Sequence, residues 1–201
     1  MGLVKSMGLK KFMALPKNMV INKSLTNRVA SIWGLLEATV FFIVPDVLLT
    51  YLASKRERPL MKAIIMTTLG AFVGGLIMHG LGHTNYGLSV QLLNQIPAID
   101  ETMIATVQSM LEELGLTALF LGPMLGIPFK IFAVEAAAAS FNPILFLLIS
   151  IPARMLRFVL LAYAARLIAT KILSSLSQRS LTLIWLVGWI GFYALYFYHF
   201  A

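Results

Sequence analysis

Two apolar stretches of the chain are each interrupted near the middle by proline and each carry ionisable residues. The first spans residues 33–53 with Pro45 at its break, and the second spans residues 115–139 with Pro128 at its break. A plain membrane span tolerates neither feature, because proline removes a helix hydrogen bond and a charge is costly in lipid. Broken helices that carry charges at membrane depth are typical of proteins that hold a polar site near the bilayer midplane.

The two broken stretches form a repeat. When the sequence is aligned with itself so that Pro45 lies opposite Pro128, the two breaks coincide. If this alignment is shifted by one more residue, Pro59 lies opposite Pro143. A long apolar segment follows each of the second prolines. We therefore predict two repeats, each made of a re-entrant helical hairpin and a spanning helix, with backbone breaks at Pro45, Gly126 and Pro128.

The composition excludes an ordinary soluble domain. Hydrophobic residues make up 59% of the chain and charged residues only 12%, whereas about a quarter of a soluble domain is charged. The sequence predicts an all-α polytopic membrane protein. Its 201 residues leave no room for a soluble catalytic domain beside spans of about 20 residues each. We therefore expect neither an enzyme, nor a cofactor, nor a nucleic-acid partner.

Two topologies compete, and loop charge distinguishes them. If residues 33–53 crossed the bilayer from a cytoplasmic N-terminus, the basic loop 55–58 would lie outside and the acidic loop 83–113 inside, against the positive-inside bias. If that stretch instead enters and leaves on one side, every basic residue of a short loop becomes cytoplasmic. The second hairpin then opens to the exterior, so the two repeats are inverted. We expect this second topology.

The expected organisation is a basic cytoplasmic segment followed by a single membrane domain. The segment covers residues 1–30 and the domain residues 31–201, with re-entrant hairpins at 31–54 and 115–141, spans at 59–82, 143–166 and 181–200, and an external amphipathic segment at 91–114. The C-terminus lies outside. Irregular backbone at membrane depth must be buried in protein or wetted, so the two hairpin tips should face each other. Aromatic residues of the last span, among them Trp185, Trp189 and Tyr193, indicate interfacial anchoring.

Ionisable residues within the apolar segments are the candidates for chemistry. They are Glu37, Asp46, Lys130, Glu135, Arg154 and Arg157. A charge at the bilayer centre costs on the order of 3 kcal/mol or more, so such residues normally face the protein interior and pair. Two interpretations stay open: buried salt bridges that only hold the hairpins together, or a working site. The sequence does not decide whether Glu135, a secondary intramembrane charge, pairs with Lys130 or with an arginine.

In the functional interpretation the basic groups hold an anion and the acidic groups exchange protons. Arg154 and Arg157 lie three residues apart, on one face of a helix, and guanidinium groups bind phosphate with paired hydrogen bonds. Lys130 adds a point charge near the second break. Glu37 and Asp46 are the candidate proton-coupling groups, because a carboxylate in a low-dielectric site binds a proton more readily.

Two other patterns have simpler explanations. His79 and His83 are four residues apart and could share a helix face, but two histidines without a third nearby ligand make a weak metal site. We therefore predict no metal. Gly70 and Gly74 form a small-residue face of the kind that lets one helix pack closely on a neighbour.

The combination of these segments resembles the DedA family, also called the VTT or SNARE-associated family, and most of all its short YqaA-like branch. The matching pieces are Leu36-Glu37-Ala38 leading to Val44-Pro45-Asp46, then Gly126-Ile127-Pro128-Phe129-Lys130, and Arg154-Met155-Leu156-Arg157-Phe158. The resemblance as a whole covers residues 33–166. The resemblance implies two facing re-entrant hairpins in the bacterial inner (plasma) membrane and movement of lipids between its leaflets.

The resemblance also suggests roles for individual residues. Members are linked to translocation of undecaprenyl phosphate or phosphatidylethanolamine and to the proton-motive force. The important acidic positions correspond to Glu37 and Asp46, and the basic positions to Arg157 and, less closely, Arg154 and Lys130. The expected function is a flippase or scramblase for a phosphate-bearing lipid, with protons as a candidate coupling ion. A proton-coupled transporter of a small solute or ion and a non-transporting membrane assembly factor remain as alternatives.

Overall fold

A computed structural model describes residues 23–55 and 60–200. Most of the predicted basic N-terminal segment lies outside the described residues, as do residues 56–58 of the basic loop and Pro59. Every regular element within the described ranges is a helix, which confirms the all-α class.

The first half of the described chain contains three helices before the segment that the sequence predicts to be external. They are α1 (Lys23–Glu37), α2 (Asp46–Ser54) and α3 (Leu60–Thr84). Two further helices follow, α4 (Tyr86–Asn94) and α5 (Glu101–Leu114). The start of α5 is capped by Asp100, whose side chain accepts the backbone N–H of Met103 at 2.7 Å. An aspartate in this position satisfies one of the free N–H groups of the first turn.

The second half begins with short turns and ends with two long helices. A 3-10 turn (Gly115–Thr117), α6 (Ala118–Leu121) and a second 3-10 turn (Gly122–Leu125) lead to α7 (Phe129–Ala138). Then come α8 (Pro143–Leu167), which continues into a π-helical turn (Ile168–Ile172), and α9 (Gln178–Phe200). The side chain of Asn142 accepts the backbone N–H groups of Ile144 and Leu145, and Pro143 occupies the first turn, where no N–H is needed.

Within residues 23–55 and 60–200, four helical segments are long and apolar enough to cross a membrane, so this is a membrane protein. They cover Leu60–Thr84, Glu101–Leu125, Pro143–Ile172 and Gln178–Tyr198. The sequence predicted three spans at nearly the first, third and fourth of these positions. The additional segment joins the predicted external segment to the first arm of the predicted second hairpin, because 3-10 turns continue the chain across the expected boundary at Gly115.

Helix α3 lies at the centre of the fold and touches α1 backbone to backbone. A Cβ atom added at Gly70 would lie 1.8 Å from the carbonyl oxygen of Ser31, and one at Gly34 would lie 2.1 Å from that of Thr67. At Gly74 it would lie 2.7 Å from the Cβ of Ala38. The small-residue face of α3 therefore packs on a neighbouring helix, as the sequence indicates. Its partner glycine in α1 was not anticipated.

A second face of α3 packs on α7, the most enclosed helix of the described structure. Every residue from Phe129 to Ala137 is buried. The ring of Phe129 packs against Gly75, and the backbone of Val134 packs against Gly82. By contrast, α9 lies at the periphery with most of its side chains exposed. With ten residues, α7 is too short to span a bilayer.

Candidate functional site

The structure places the three predicted break residues at helix ends. Pro45 lies between the irregular segment after α1 and the first residue of α2, Asp46. Gly126 follows the second 3-10 turn with φ of +86°, a left-handed conformation that favours glycine, and Pro128 directly precedes α7. Because proline lacks an N–H group, each proline stands where a helix starts without needing that donor.

The two breaks contact each other through Lys130. Its Nζ donates a hydrogen bond to the carbonyl oxygen of Phe41, in the first break, at 2.8 Å. The lysine side chain starts in the first turn of α7 and is only 1% exposed. A carbonyl freed by the interruption of one helix is therefore satisfied by a charge from the other broken segment.

Two buried ion pairs join α8 to the two arms of the first broken segment. Arg154 pairs with Glu37, the last residue of α1, and both side chains are buried. Arg157 pairs with Asp46, the first residue of α2, at 2.5 Å. The arginines lie one turn apart on α8, so a single helix face engages the residues on both sides of the break.

Five of the six predicted ionisable residues thus come together, and we call them the buried charge cluster: Glu37, Asp46, Lys130, Arg154 and Arg157. Asp46 also interacts electrostatically with Glu37 and Arg154. Lys130 interacts electrostatically with the same two residues. When all five are ionised, three positive charges and two negative charges leave a net charge of +1. The cluster therefore has an excess of positive charge.

The guanidinium group of Arg154 is held between aromatic rings. Its central carbon lies 4.4 Å from the ring centroid of Phe129 and 5.3 Å from that of Phe158. Such contacts favour a cation in a partly apolar site. The position of this arginine therefore does not depend on the Glu37 ion pair alone.

The cluster retains unused hydrogen-bonding capacity. Within the described parts of the chain, Oδ1 of Asp46 and Nε of Arg154 are buried and have no hydrogen-bond partner. Buried polar atoms are normally satisfied, so exceptions call for an explanation. Chemically, the carboxylate oxygen can take a proton, and the guanidinium N–H can donate to an anion.

Glu135 lies apart from the cluster. Its carboxylate accepts hydrogen bonds from the hydroxyl of Tyr86 at 3.0 Å and from the side-chain amide of Gln108 at 2.9 Å. Both partners are neutral, so neither Lys130 nor an arginine is its described partner. Sequence reasoning missed Tyr86 and Gln108, which lie 49 and 27 residues away and share no spacing signal with Glu135.

Aromatic residues of α9 bind the first broken segment. The hydroxyl of Tyr193 accepts the backbone N–H of Val44 at 2.9 Å. The indole N–H groups of Trp185 and Trp189 both donate to Oγ1 of Thr50, at 3.1 and 3.0 Å. These three residues therefore bind the first broken segment, a role that the prediction of interfacial anchoring did not include. The sequence signal that could have indicated such a contact is the position of Val44 in a broken helix, where its N–H needs an acceptor.

The two candidate histidines do not form a metal site with other residues. His79 is buried, with its ring 5.1 Å from that of Phe146, and His83 is exposed. Within residues 23–55 and 60–200, no three side chains of the metal-binding types come together.

No family model matches the chain, and neither a curated protein nor a solved structure matches it. Fold and site together define an all-helical membrane protein in which two interrupted helical segments contact each other around buried charges.

Proposed function

We propose that the protein moves a phosphate-bearing lipid between the leaflets of a bacterial inner membrane, as a flippase or scramblase of the DedA/VTT kind. The observation that carries the proposal is the buried charge cluster at the contact between the two broken segments. Its net positive charge complements the single negative charge of a phosphodiester head group. The resemblance of residues 36–46, 126–130 and 154–158 to that family supports the same function.

The ion pairs supply a way to couple phosphate binding to protonation. Each guanidinium group can pair with its carboxylate or with a phosphate, and both anions compete for the same donors. A proton on Asp46 weakens its hold on Arg157 and frees that arginine for phosphate. Because binding linkage is reciprocal, phosphate binding in turn favours the protonated carboxylate. The unpartnered Oδ1 of Asp46 is available to such a proton.

The proposed path runs between the tips of two re-entrant hairpins inserted from opposite sides. In this arrangement the head group crosses at the buried charge cluster while its acyl chains remain in the bilayer. The hydrogen bond from Lys130 to Phe41 supports it, because it joins the two breaks directly. The burial of α7 supports it as well, since a helix that ends at membrane depth must be covered by protein.

Lipid exchange in proteoliposomes tests the proposal. The wild-type protein should accelerate the transfer of a fluorescent phospholipid between leaflets, measured by chemical quenching of the outer leaflet. Arg157→Gln should slow transfer by about tenfold or more, since a charge-assisted hydrogen bond contributes roughly 1.5–3 kcal/mol. Asp46→Asn should also slow transfer, because its neutral side chain leaves Arg157 free for phosphate but cannot lose a proton and displace the bound phosphate. Lys171→Gln removes an exposed charge outside the cluster and should retain the wild-type rate. Equal transfer with and without the wild-type protein would refute the proposal.

A charge swap separates a working site from a structural one. The double variant Glu37→Arg with Arg154→Glu keeps an ion pair at the same place but moves the positive charge from α8 to α1. We expect the double variant to fold better than either single variant and to transfer lipid slowly. A wild-type transfer rate in the double variant would contradict the phosphate-binding role of Arg154 and favour the assembly-factor alternative. Solute uptake without lipid transfer would favour the proton-coupled solute transporter.

A further inference from the structure

A cavity with polar groups in its walls lies between α4, α5 and α7, apart from the buried charge cluster. Its volume is about 550 Å³. Tyr86 of α4, Gln108 and Glu112 of α5, Glu135 of α7 and Phe141, just after α7, contribute to its walls. Its size falls within the range of small-molecule sites, which combine apolar walls with a few oriented polar groups.

The carboxylate of Glu135 is a buried and hydrogen-bonded polar group of this cavity. The residue is only 2% exposed, and Tyr86 and Gln108 hold its two oxygens. The Gln108 amide also donates to the Tyr86 hydroxyl at 3.1 Å, which closes a ring of hydrogen bonds. Burial raises the pKa of Tyr86, and the neighbouring charge of Glu135 raises it further, so its hydroxyl remains a donor at ordinary pH.

The negative charge of Glu135 has no described counter-charge. Among the residues that the structure describes, no lysine or arginine lines the cavity, and none occurs in the sequence between Lys62 and Lys130. Lys130 is on the same helix as Glu135, but five residues away, about 7.5 Å along the axis, and it donates to Phe41 instead. Glu112 adds a second carboxylate at the exposed edge. Buried charges are normally paired, so a ligand that brings positive charge would complete this site.

The chemistry of the walls favours an organic cation over a metal ion. Calcium takes six to eight oxygen ligands, whereas this cavity offers two carboxylates, one of which is already engaged by Tyr86 and Gln108. The alanine and leucine side chains beside them and the ring of Phe141 suit the alkyl part of an amine. An ammonium group can donate several hydrogen bonds to the carboxylates and also contact the aromatic ring.

We propose that this cavity binds a primary ammonium group, carried by a soluble amine or by an aminolipid, with Glu135 as its counter-ion. The inference goes beyond the proposed lipid movement, because it uses none of the five residues of the buried charge cluster. It assigns Tyr86 and Gln108 as positioning residues that hold the Glu135 carboxylate.

Calorimetric titration of the purified full chain in detergent with propylammonium chloride tests the site. We expect saturable binding, at least tenfold weaker in Glu135→Gln and weakened to a smaller extent in Tyr86→Phe. Glu113→Gln is the matched control, because Glu113 is an exposed acidic residue next to Glu112 that does not line the cavity. Thermal unfolding and size-exclusion profiles establish that each variant is folded. Wild-type affinity in folded Glu135→Gln, or no saturable binding to the wild-type protein, would overturn the proposal.

Nanodiscs of two compositions distinguish the sources of the amine. The same titration is repeated in phosphatidylglycerol alone and in phosphatidylglycerol mixed with phosphatidylethanolamine. If the aminolipid occupies the site, propylammonium should bind more weakly in the mixed discs than in phosphatidylglycerol alone. This difference between the discs should disappear in Glu135→Gln, and that result supports a lipid ammonium group. Equal binding in both discs, again lost in Glu135→Gln, supports a soluble amine. The readout is binding alone, so it does not depend on the outcome of the lipid-transfer assay.

Discussion

The interruption of a helix frees backbone groups, and individual side chains of this protein satisfy them. The carbonyl of Phe41 accepts from Lys130, and the N–H of Val44 donates to Tyr193. Both partners are distant in sequence. An unsatisfied buried group costs about 1–3 kcal/mol, so these side chains stabilise the broken segment as well as shaping the site.

Lys130→Met should lower the free energy of unfolding by about 1–3 kcal/mol, because the Phe41 carbonyl loses its donor while the side chain keeps a similar length. Denaturant unfolding in detergent measures the change. Lys62→Met is the control, since Lys62 is exposed on α3 and its replacement should change the stability by less than about 0.5 kcal/mol. Similar losses for the two variants would show that the contact with Phe41 does not stabilise the fold.

At the scale of elements, the contact of α1 with α3 depends on glycine, because only the absence of a side chain lets the two backbones approach. Gly34 and Gly70 each face a carbonyl oxygen of the other helix. This close approach positions the end of α1, and therefore Glu37, against α8.

Gly70→Ala should destabilise the protein by about 1–3 kcal/mol, because its methyl group would lie 1.8 Å from the Ser31 carbonyl oxygen and force the helices apart. Gly80→Ala, on the same helix, meets no atom within 4 Å and should instead stabilise by about 0.5–1 kcal/mol through helix propensity. Thermal unfolding of the two variants in one detergent provides the comparison. A stable Gly70→Ala protein would mean that α1 does not pack on α3 as described.

Local sequence predicted the long helices better than the interrupted ones. The predicted spans 59–82, 143–166 and 181–200 lie close to α3, α8 and α9, because long apolar runs with capping residues identify their own ends. Helix α5 ends at Leu114, beside the predicted boundary at residue 115, but the sequence did not predict the turns that follow. A 3-10 turn, α6 and a second 3-10 turn continue the chain to Leu125, and this course depends on tertiary packing around α6.

At the scale of the whole molecule, the proposed inverted topology predicts which loops share a side of the membrane. The chain has no cysteine, so single cysteines at Glu57, Asn94 and Ala139 can be labelled without background. A membrane-impermeant maleimide should react with the first from the cytoplasmic side and with the other two from the opposite side. In right-side-out and inside-out vesicles, the labelling pattern should reverse accordingly.

The position of Ala139 distinguishes a re-entrant second segment from a crossing one. Asn94 and Ala139 are both exposed in the structure, so neither should be protected by packing. If Glu101–Leu125 crossed the membrane completely, Ala139 would react from the cytoplasmic side while Asn94 still reacted from outside. That pattern would contradict the proposed hairpin and leave the all-helical membrane fold in place.

Much of the candidate site could be anticipated as a set of residues, but not as pairs. Charges in apolar segments are costly, which was enough to single out the six ionisable residues. The pairing of Arg154 with Glu37 and of Arg157 with Asp46 required the packing of α8 on the first broken segment. The separate environment of Glu135 likewise depends on two helices that carry no recognisable motif.

The sequence by itself determined that the chain is helical, apolar enough for a membrane, interrupted at Pro45, Gly126 and Pro128, and charged within its apolar segments. These properties are local, because hydropathy, proline and glycine act on the residues beside them. Tertiary structure decided which charges meet, that Lys130 satisfies a carbonyl in the other broken segment, and that Glu135 faces a cavity of its own. Those outcomes depend on the close packing of helices distant in sequence, where the energy of each contact depends on its three-dimensional surroundings.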